Sequence, residues 1–158
     1  PRIRELRKER EELERKLGVK IILEGKKVII DGEALDEYEA VLVLEAMQFG
    51  FSARKALLLK SEHLIFRRLP IKNFTRRKDL SVVRGRIIGQ EGKTKHAMEN
   101  ISGCEIIISD DAVGIIGSAE SIEEATTAIT NLIRGSKQAN VYRFLERMNA
   151  AKKELGKE

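Results

Sequence analysis

Apolar residues recur along the 158-residue chain with two alternating periods, and the switches between periods mark its elements. Ile3, Leu6, Leu13 and Leu17 form a thin helical stripe in a segment rich in Glu and Arg, so a helix is expected from Arg4 to Leu17, with Gly18 as its cap. Glu11 with Arg15 and Glu12 with Lys16 support it at i,i+4 spacing, while Arg4 with Lys8 opposes it. Two β-branched runs, Val19–Leu23 and Val28–Ile30, flank Glu24-Gly25-Lys26-Lys27 and read as a hairpin. A strongly apolar helix follows from Leu35 to Gly50, then a short one from Ala53 to Leu59 capped by Ser52. His63–Leu69 reads as a strand stopped by Pro70, and Thr75 is expected to cap a helix running through Arg84. Beyond residue 93 come a helix to Ser102, strands Cys104–Ser109 and Ala112–Ile116, and a helix capped by Ser121 that ends at Gly135. Val141, Phe144, Leu145 and Met148 predict a last helix from about Asn140 to Leu155, with Gly156-Lys157-Glu158 fraying.

The pattern repeats. At an offset of 85 residues Gly103 falls on Gly18, Gly117 on Gly32 and Gly135 on Gly50. Ile107 falls on Ile22, Val113 on Val28, Ile115 on Ile30 and Ile129 on Leu44, without a gap. Two copies of helix–strand–strand–helix follow, and the second is preceded by a further strand and helix. The expected class is α+β, with a three-stranded antiparallel sheet covered by helices on one face.

Composition narrows the partners. A hydrophobic content of 42% with 35% charged residues is that of a globular chain, and no apolar run nears the roughly 20 residues of a membrane helix. The single cysteine, Cys104, rules out an internal disulfide and fits a cytoplasmic location. The chain opens on Pro1 without a Met, which reads as a fragment or processed chain. The net charge of +5 is unevenly spread: residues 60–103 hold eleven Lys and Arg against four Asp and Glu, and the remainder is slightly acidic. A local basic excess is the electrostatic footprint of a nucleic-acid binder.

That excess surrounds one stretch, Ile87-Ile88-Gly89-Gln90-Glu91-Gly92-Lys93-Thr94-Lys95. Glycines allow the backbone dihedrals of a tight joint and the close approach of a ligand backbone. The amides opening the next helix sit at the positive end of its dipole, where a phosphate is favoured, and Lys93 and Lys95 add charge there. Arg84 and Arg86 precede the loop and can track a strand; Ile87 and Ile88 divide between the core and an apolar groove for bases. Glu91 places a carboxylate inside the loop, where it either points to solvent or lowers phosphate affinity. Arg67, Arg68, Arg76, Arg77 and Lys78 read as general electrostatic attraction.

With these flanks the loop resembles the GXXG of a type I KH domain, the module that clamps about four single-stranded nucleotides. The continuation Glu99-Asn100-Ile101, Gly114-Ile115-Ile116-Gly117-Ser118, Leu132-Ile133-Arg134-Gly135 and Val141-Tyr142 is similar to the partner-of-Nob family, tandem-KH assembly factors of the small ribosomal subunit. The resemblance implies two KH-like modules, the first divergent and N-terminally incomplete. Residues 1–51 would be the copy without GXXG, 52–61 a linker helix, 62–136 the KH domain proper and 137–158 a C-terminal helix. It also implies RNA-binding residues Gly89, Gln90, Glu91, Gly92, Lys93, Lys95, Arg84, Arg86, Ile87 and Ile88. The implied ligand is single-stranded rRNA near the 3′ end of the small-subunit precursor, and the implied protein partner is the PIN-domain endonuclease that matures that end. A KH-fold scaffold that binds protein instead of RNA is the alternative.

Catalysis has no comparable constellation. His63 and His96 are isolated, Cys104 opens a strand as a small buried residue, and Asp110-Asp111 is turn chemistry. No metal, cofactor or enzyme activity is expected, and no P-loop, dinucleotide or zinc pattern occurs.

Overall fold

The structure, a computed structural model, describes residues 2–156, so the expected fraying of Lys157 and Glu158 lies outside the described residues. The chain forms two compact units, Pro1–Phe66 and Arg67–Glu158.

The first unit is a helix, a hairpin and a helix. Helix α1 (Arg2–Leu17) buries Leu6, Leu13 and Leu17, and its outer face carries the Arg10–Glu14 and Glu12–Lys16 ion pairs at 3.3 and 2.9 Å. Gly18, at φ 69°, ends the helix by donating its N–H to Glu14 O. Strands β1 (Lys20–Glu24) and β2 (Lys27–Asp31) pair antiparallel with Ile21 opposite Ile30. Helix α2 (Ala34–Phe49) packs on both α1 and β2, burying Ala40, Val43, Ala46 and Met47. Helix α3 (Ala53–Ala56) starts at Ser52, whose hydroxyl accepts the Lys55 N–H, and runs into a tighter turn at Leu57–Lys60. Phe51 is fully buried in a three-ring cluster with Phe49 and Phe66, whose centroids lie 5.7–6.3 Å apart.

The second unit opens with β3 (Ile65–Pro70), which enters this unit from Arg67 and is followed by α4 (Ser81–Ile88). Then come α5 (Lys93–Ser102), β4 (Glu105–Ile108), β5 (Ala112–Gly117), α6 (Ala119–Ile133) and α7 (Gln138–Leu155). The sheet order is β3-β5-β4, with β4 and β5 antiparallel. Val83 and Ile87 of α4, Met98 of α5, Ile106, Val113 and Ile115 of the sheet, Ile122 and Ile129 of α6, and Leu145 of α7 form one core. Two helix starts differ from expectation. Thr75 shapes a turn by accepting the Arg77 N–H, and α4 begins only after Asp79 accepts both the N–H and the hydroxyl of Ser81. Ser118, not Ser121, caps α6: its hydroxyl accepts the Ser121 N–H at 3.2 Å.

The 85-residue offset is visible in the structure. Ile106 opposes Ile115 as Ile21 opposes Ile30. In each copy a glutamate on the first helix accepts the N–H of the second strand residue, Glu14 from Ile21 at 3.3 Å and Glu99 from Ile106 at 3.1 Å. In each copy a glycine after the hairpin makes room for the residue that follows the first helix. A Cβ on Gly32 would lie 2.8 Å from Val19 Cγ1, and one on Gly117 2.6 Å from Cys104 Sγ. Among the described residues the first sheet has two strands and the second has three.

Two outcomes follow. Glu99→Ala removes a nearly buried acceptor from the Ile106 amide and should cost about 1–2 kcal/mol in urea unfolding, with Glu99→Gln costing less because it keeps an oxygen. Burial pushes the Cys104 thiol up, against smaller opposing effects of the Ser102 hydrogen bond and Lys152. Iodoacetamide at pH 7–8 should therefore label Cys104 slowly in the native chain and rapidly once it is unfolded.

Candidate nucleic-acid interface

Helix α4 points its last turn at the loop. Ile87 is fully buried in the core, whereas Ile88 is 37% exposed. Of the two residues assigned jointly to core and groove, the first is core and only the second faces outward. Ile88 continues a surface stripe with Gly85 and Val82, about one and two helical turns back, along α4. Nothing lies within 4 Å of where a Gly85 Cβ would stand. The stripe was not recognised from sequence, because a glycine inside a helix gives no apolar signal.

The loop then reverses the chain. Gly89 (φ 75°, ψ 173°) ends α4 by donating its N–H to Gly85 O at 2.8 Å. A Cβ on Gly89 would lie 2.1 Å from Thr94 Oγ1 and 2.7 Å from Thr94 N, so this position admits glycine alone. Gly92 (φ 78°) is left-handed but spacious, its nearest neighbour being the His96 ring at 3.5 Å. Between them Glu91 takes φ 55°, the only non-glycine at positive φ among the described residues, and its side chain is exposed. For the two alternatives left open at Glu91, the geometry gives the first: the carboxylate points to solvent.

The amides divide in a way the motif does not reveal. The N–H groups of Gly89, Gly92 and Lys93 bond to Gly85 O, Gly89 O and Gln90 O within the joint itself. Those of Gln90 and Glu91, at the two variable positions, open the tight turn, where a helix supplies its first N–H groups with no acceptor of its own.

The cations divide likewise. Lys93 is exposed at the start of α5 and has no carboxylate within 4 Å among the described residues. Lys95 lies 3.2 Å from Glu99 Oε1, an oxygen that also faces His96 Nδ1 at 3.4 Å. Arg84 donates to Asp110 O at 2.7 Å and so ties α4 to the β4–β5 turn. Arg86, partly buried, reaches toward Gly135. Arg67 and Arg68, expected to act by general attraction, pair with Glu123 at 2.6 Å and Asp111 at 3.4 Å. Arg76, Arg77 and Lys78 stand exposed in the connection before α4.

No cluster of three or more His, Cys, Asp or Glu side chains able to hold a metal occurs among the described residues, and no described helix is long and apolar enough to cross a membrane. The arrangement is a shallow apolar strip ending in a glycine loop that opens α5 beside an exposed lysine with no carboxylate partner among the described residues. It suits an extended chain carrying phosphates on one side and flat apolar rings on the other.

Comparison with known proteins agrees with this architecture. A family model described as the eukaryotic-type KH domain (KH domain, type I), for the second such domain of PNO1, matches residues 65–150. A KH domain-containing protein of Methanocaldococcus jannaschii is 31% identical over 143 residues, covering 85% of this chain and 63% of its own. The pre-rRNA-processing protein pno1 of Schizosaccharomyces pombe is 38% identical over 114 residues, 70% of this chain and 47% of its own. The chain thus spans less than two thirds of the length of these curated relatives. A chain in the crystal structure of an a/eIF2alpha–aDim2p–rRNA complex from Pyrococcus horikoshii OT3 superposes with a TM-score of 0.81 at 32% identity, over 89% of this chain and 82% of that one. The chain belongs to the partner-of-Nob (PNO1/Dim2) family, and its second unit carries a type I KH domain.

Proposed function

We propose that this protein binds single-stranded RNA during small-subunit ribosome assembly, gripping the rRNA precursor near its 3′ end through the loop at residues 89–93 and the adjoining face of α4. The observation that carries the reading is the joint itself: Gly89 brings the chain back so tightly that the amides of Gln90 and Glu91, which open the short turn, come just before the exposed Lys93 and just after the Val82–Gly85–Ile88 stripe. Phosphates would lie on those amides and Lys93, and bases would stack along the stripe, where the missing side chain of Gly85 lets a ring approach the helix backbone. Arg86, Arg76, Arg77 and Lys78 supply longer-range attraction. Lys95 and Arg84 contribute less, since Glu99 and Asp110 O already hold them.

The names of the relatives support a place in pre-rRNA processing, and the aDim2p–rRNA complex supports rRNA as ligand. The PIN-domain endonuclease that matures the 3′ end is the partner we assign on the family resemblance. The protein acts without catalysis of its own, in the cytoplasm. We read the first unit as a divergent KH-like module, because its hairpin register and its Glu14–Ile21 bond repeat those of the second unit while Arg4 and Arg7 stand where Gly89 and Gly92 would fall.

The test is fluorescence anisotropy with short oligonucleotides from the rRNA 3′ end, titrated across a salt series. Gly92→Asp is the loop variant to use, with circular dichroism to check the strain of a side chain at φ 78°, because the Gly92 position has room for it, whereas any substitution at Gly89 also collides with the Thr94 backbone. It should abolish or sharply weaken binding. Lys93→Ala should flatten the dependence of log K on log salt by about 0.7, the amount expected for one phosphate contact on a single strand, and Lys95→Ala should flatten it less. Gly85→Ala separates site from fold: it should stabilise α4 by up to about 1 kcal/mol while weakening RNA binding about fivefold, about 1 kcal/mol of lost contact. If Gly92→Asp and Gly85→Ala both bind like the parent chain, the loop assignment fails. If the parent chain itself shows no salt-sensitive binding, the scaffold reading replaces it.

A further inference from the structure

Helix α7 begins at the loop end of the second unit. Gly135 turns the chain out of α6 at φ 103°, and Nη1 of Arg86 stands 3.8 Å from where a Gly135 Cβ would lie. Arg86 belongs to the last turn of α4, three residues before Gly89, so the joint between α6 and α7 lies beside the end of α4 that enters the glycine loop. Toward the other end of α7, Lys152 donates to Ser121 Oγ at 3.1 Å and pairs with Glu124, both in the first half of α6. Helix α7 therefore runs back along α6, packing on α5 as well, and its first half is the one nearer the loop.

That half carries a second concentration of positive charge. Residues 134–147 hold Arg134, Lys137, Arg143 and Arg147 against the single carboxylate of Glu146, and all four cations are exposed. Among the described residues none of the four has a carboxylate within 4 Å, whereas Arg67, Arg68, Lys95 and Lys152 are each paired. Val141 and Leu145 turn one side of α7 to the core. Asn140, Arg143, Arg147 and Ala150, at i, i+3, i+7 and i+10, fall on the opposite side. With Glu146 they line an open furrow of about 570 Å³.

Continuity with the loop identifies the occupant. A KH loop holds about four nucleotides, and a longer strand has to leave it over a neighbouring surface. At the Arg86 end of the loop that surface is the start of α7. Arg143 and Arg147 are about 6 Å apart along the helix axis, and each offers a planar fork of donors that suits a phosphate. Glu146 flanks the pair and bounds the track on that side. We propose that the Arg143–Arg147 face of α7 is a second RNA-backbone subsite. It takes phosphates of the same single strand as that strand leaves the loop past Arg86, Arg134 and Lys137. This inference rests on the loop reading above, and it extends the contact beyond the loop.

The test compares fluorescein-labelled oligonucleotides of five and twelve nucleotides from the rRNA 3′ end, titrated with the whole protein across a salt series. Arg143→Ala/Arg147→Ala should weaken the twelve-nucleotide strand about tenfold and flatten its dependence of log K on log salt by about 1.4, the amount for two phosphate contacts. The five-nucleotide strand should bind this variant and the parent chain alike. Arg143→Lys/Arg147→Lys keeps the charge and should retain most of the lost affinity. Lys153→Ala removes an exposed cation farther along α7 and should leave both strands unaffected. The proposal is overturned if the double alanine variant binds the longer strand like the parent chain, and the furrow then belongs to an acidic protein partner. It is overturned equally if Lys153→Ala weakens that strand as much, or if both lengths lose the same factor, since the attraction is then diffuse. Gly92→Asp keeps the two readings apart. If it weakens both lengths while the α7 variants change nothing, the loop stands and only the second subsite falls; if it changes neither length, the loop reading itself fails.

Discussion

The contact between Gly89 and Thr94 is the constraint from which the second unit takes its shape. The chain reverses between α4 and α5 within four residues, and it does so by bringing the Gly89 Cα close to the Thr94 amide, leaving no space for a Cβ. Thr94 is itself buried, so it cannot retreat. Because the joint closes this tightly, α4 lies back on α6, Ile87 reaches the core and Ile88 stays at the surface. The geometry also decides which amides are consumed by the turn. In the first unit arginines occupy the two glycine positions, and α1 runs straight through them.

Charge is the second organising force, and it is more structural than its total implies. Several cations in the basic segment hold the second unit together: Arg67 and Arg68 pair with Glu123 and Asp111, Arg84 ties α4 to the β4–β5 turn, and Lys95 shares Glu99. Exposed pairs of this kind contribute little stability, at most about 1 kcal/mol each, but they orient side chains and dilute the field they could otherwise present. The cations free to meet a phosphate are therefore fewer than the count of basic residues, and they cluster at Lys93 and in the connection Arg76-Arg77-Lys78. A protein that holds RNA with few direct charges depends more on backbone amides and apolar contact.

Much of this architecture was legible in the sequence because it rests on local signals. Capping glycines at 18 and 103, β-branched runs and the 85-residue offset set out both hairpins, and the structure adds their registers. The joint was legible because only glycine satisfies it. What stayed hidden depends on three-dimensional neighbours. The start of α4 was misplaced since Thr75 and Asp79 are both competent caps, and only the hydrogen bonds to Ser81 distinguish them. The Lys95–Glu99 pair is readable at i,i+4 spacing, but that Glu99 also faces His96 and accepts the Ile106 N–H is set only by the fold.

The places where local rules are broken carry the functional argument. A glycine inside α4 weakens the helix, and a glutamate at φ 55° strains the loop; neither is demanded by packing, since both positions open to solvent. Helix-forming alanine at residue 85 would fit the space, and glycine or asparagine at residue 91 would relieve the strain. The fold gains nothing visible from either choice, yet both lie on the surface that α4 and the loop offer together. Gly89 differs in kind, because there the fold and the ligand surface make the same demand. Substitutions at Gly89 consequently report on folding, those at Gly92 carry the strain of a left-handed backbone in open space, and residues 85 and 91 are where the surface can be altered with the architecture left standing.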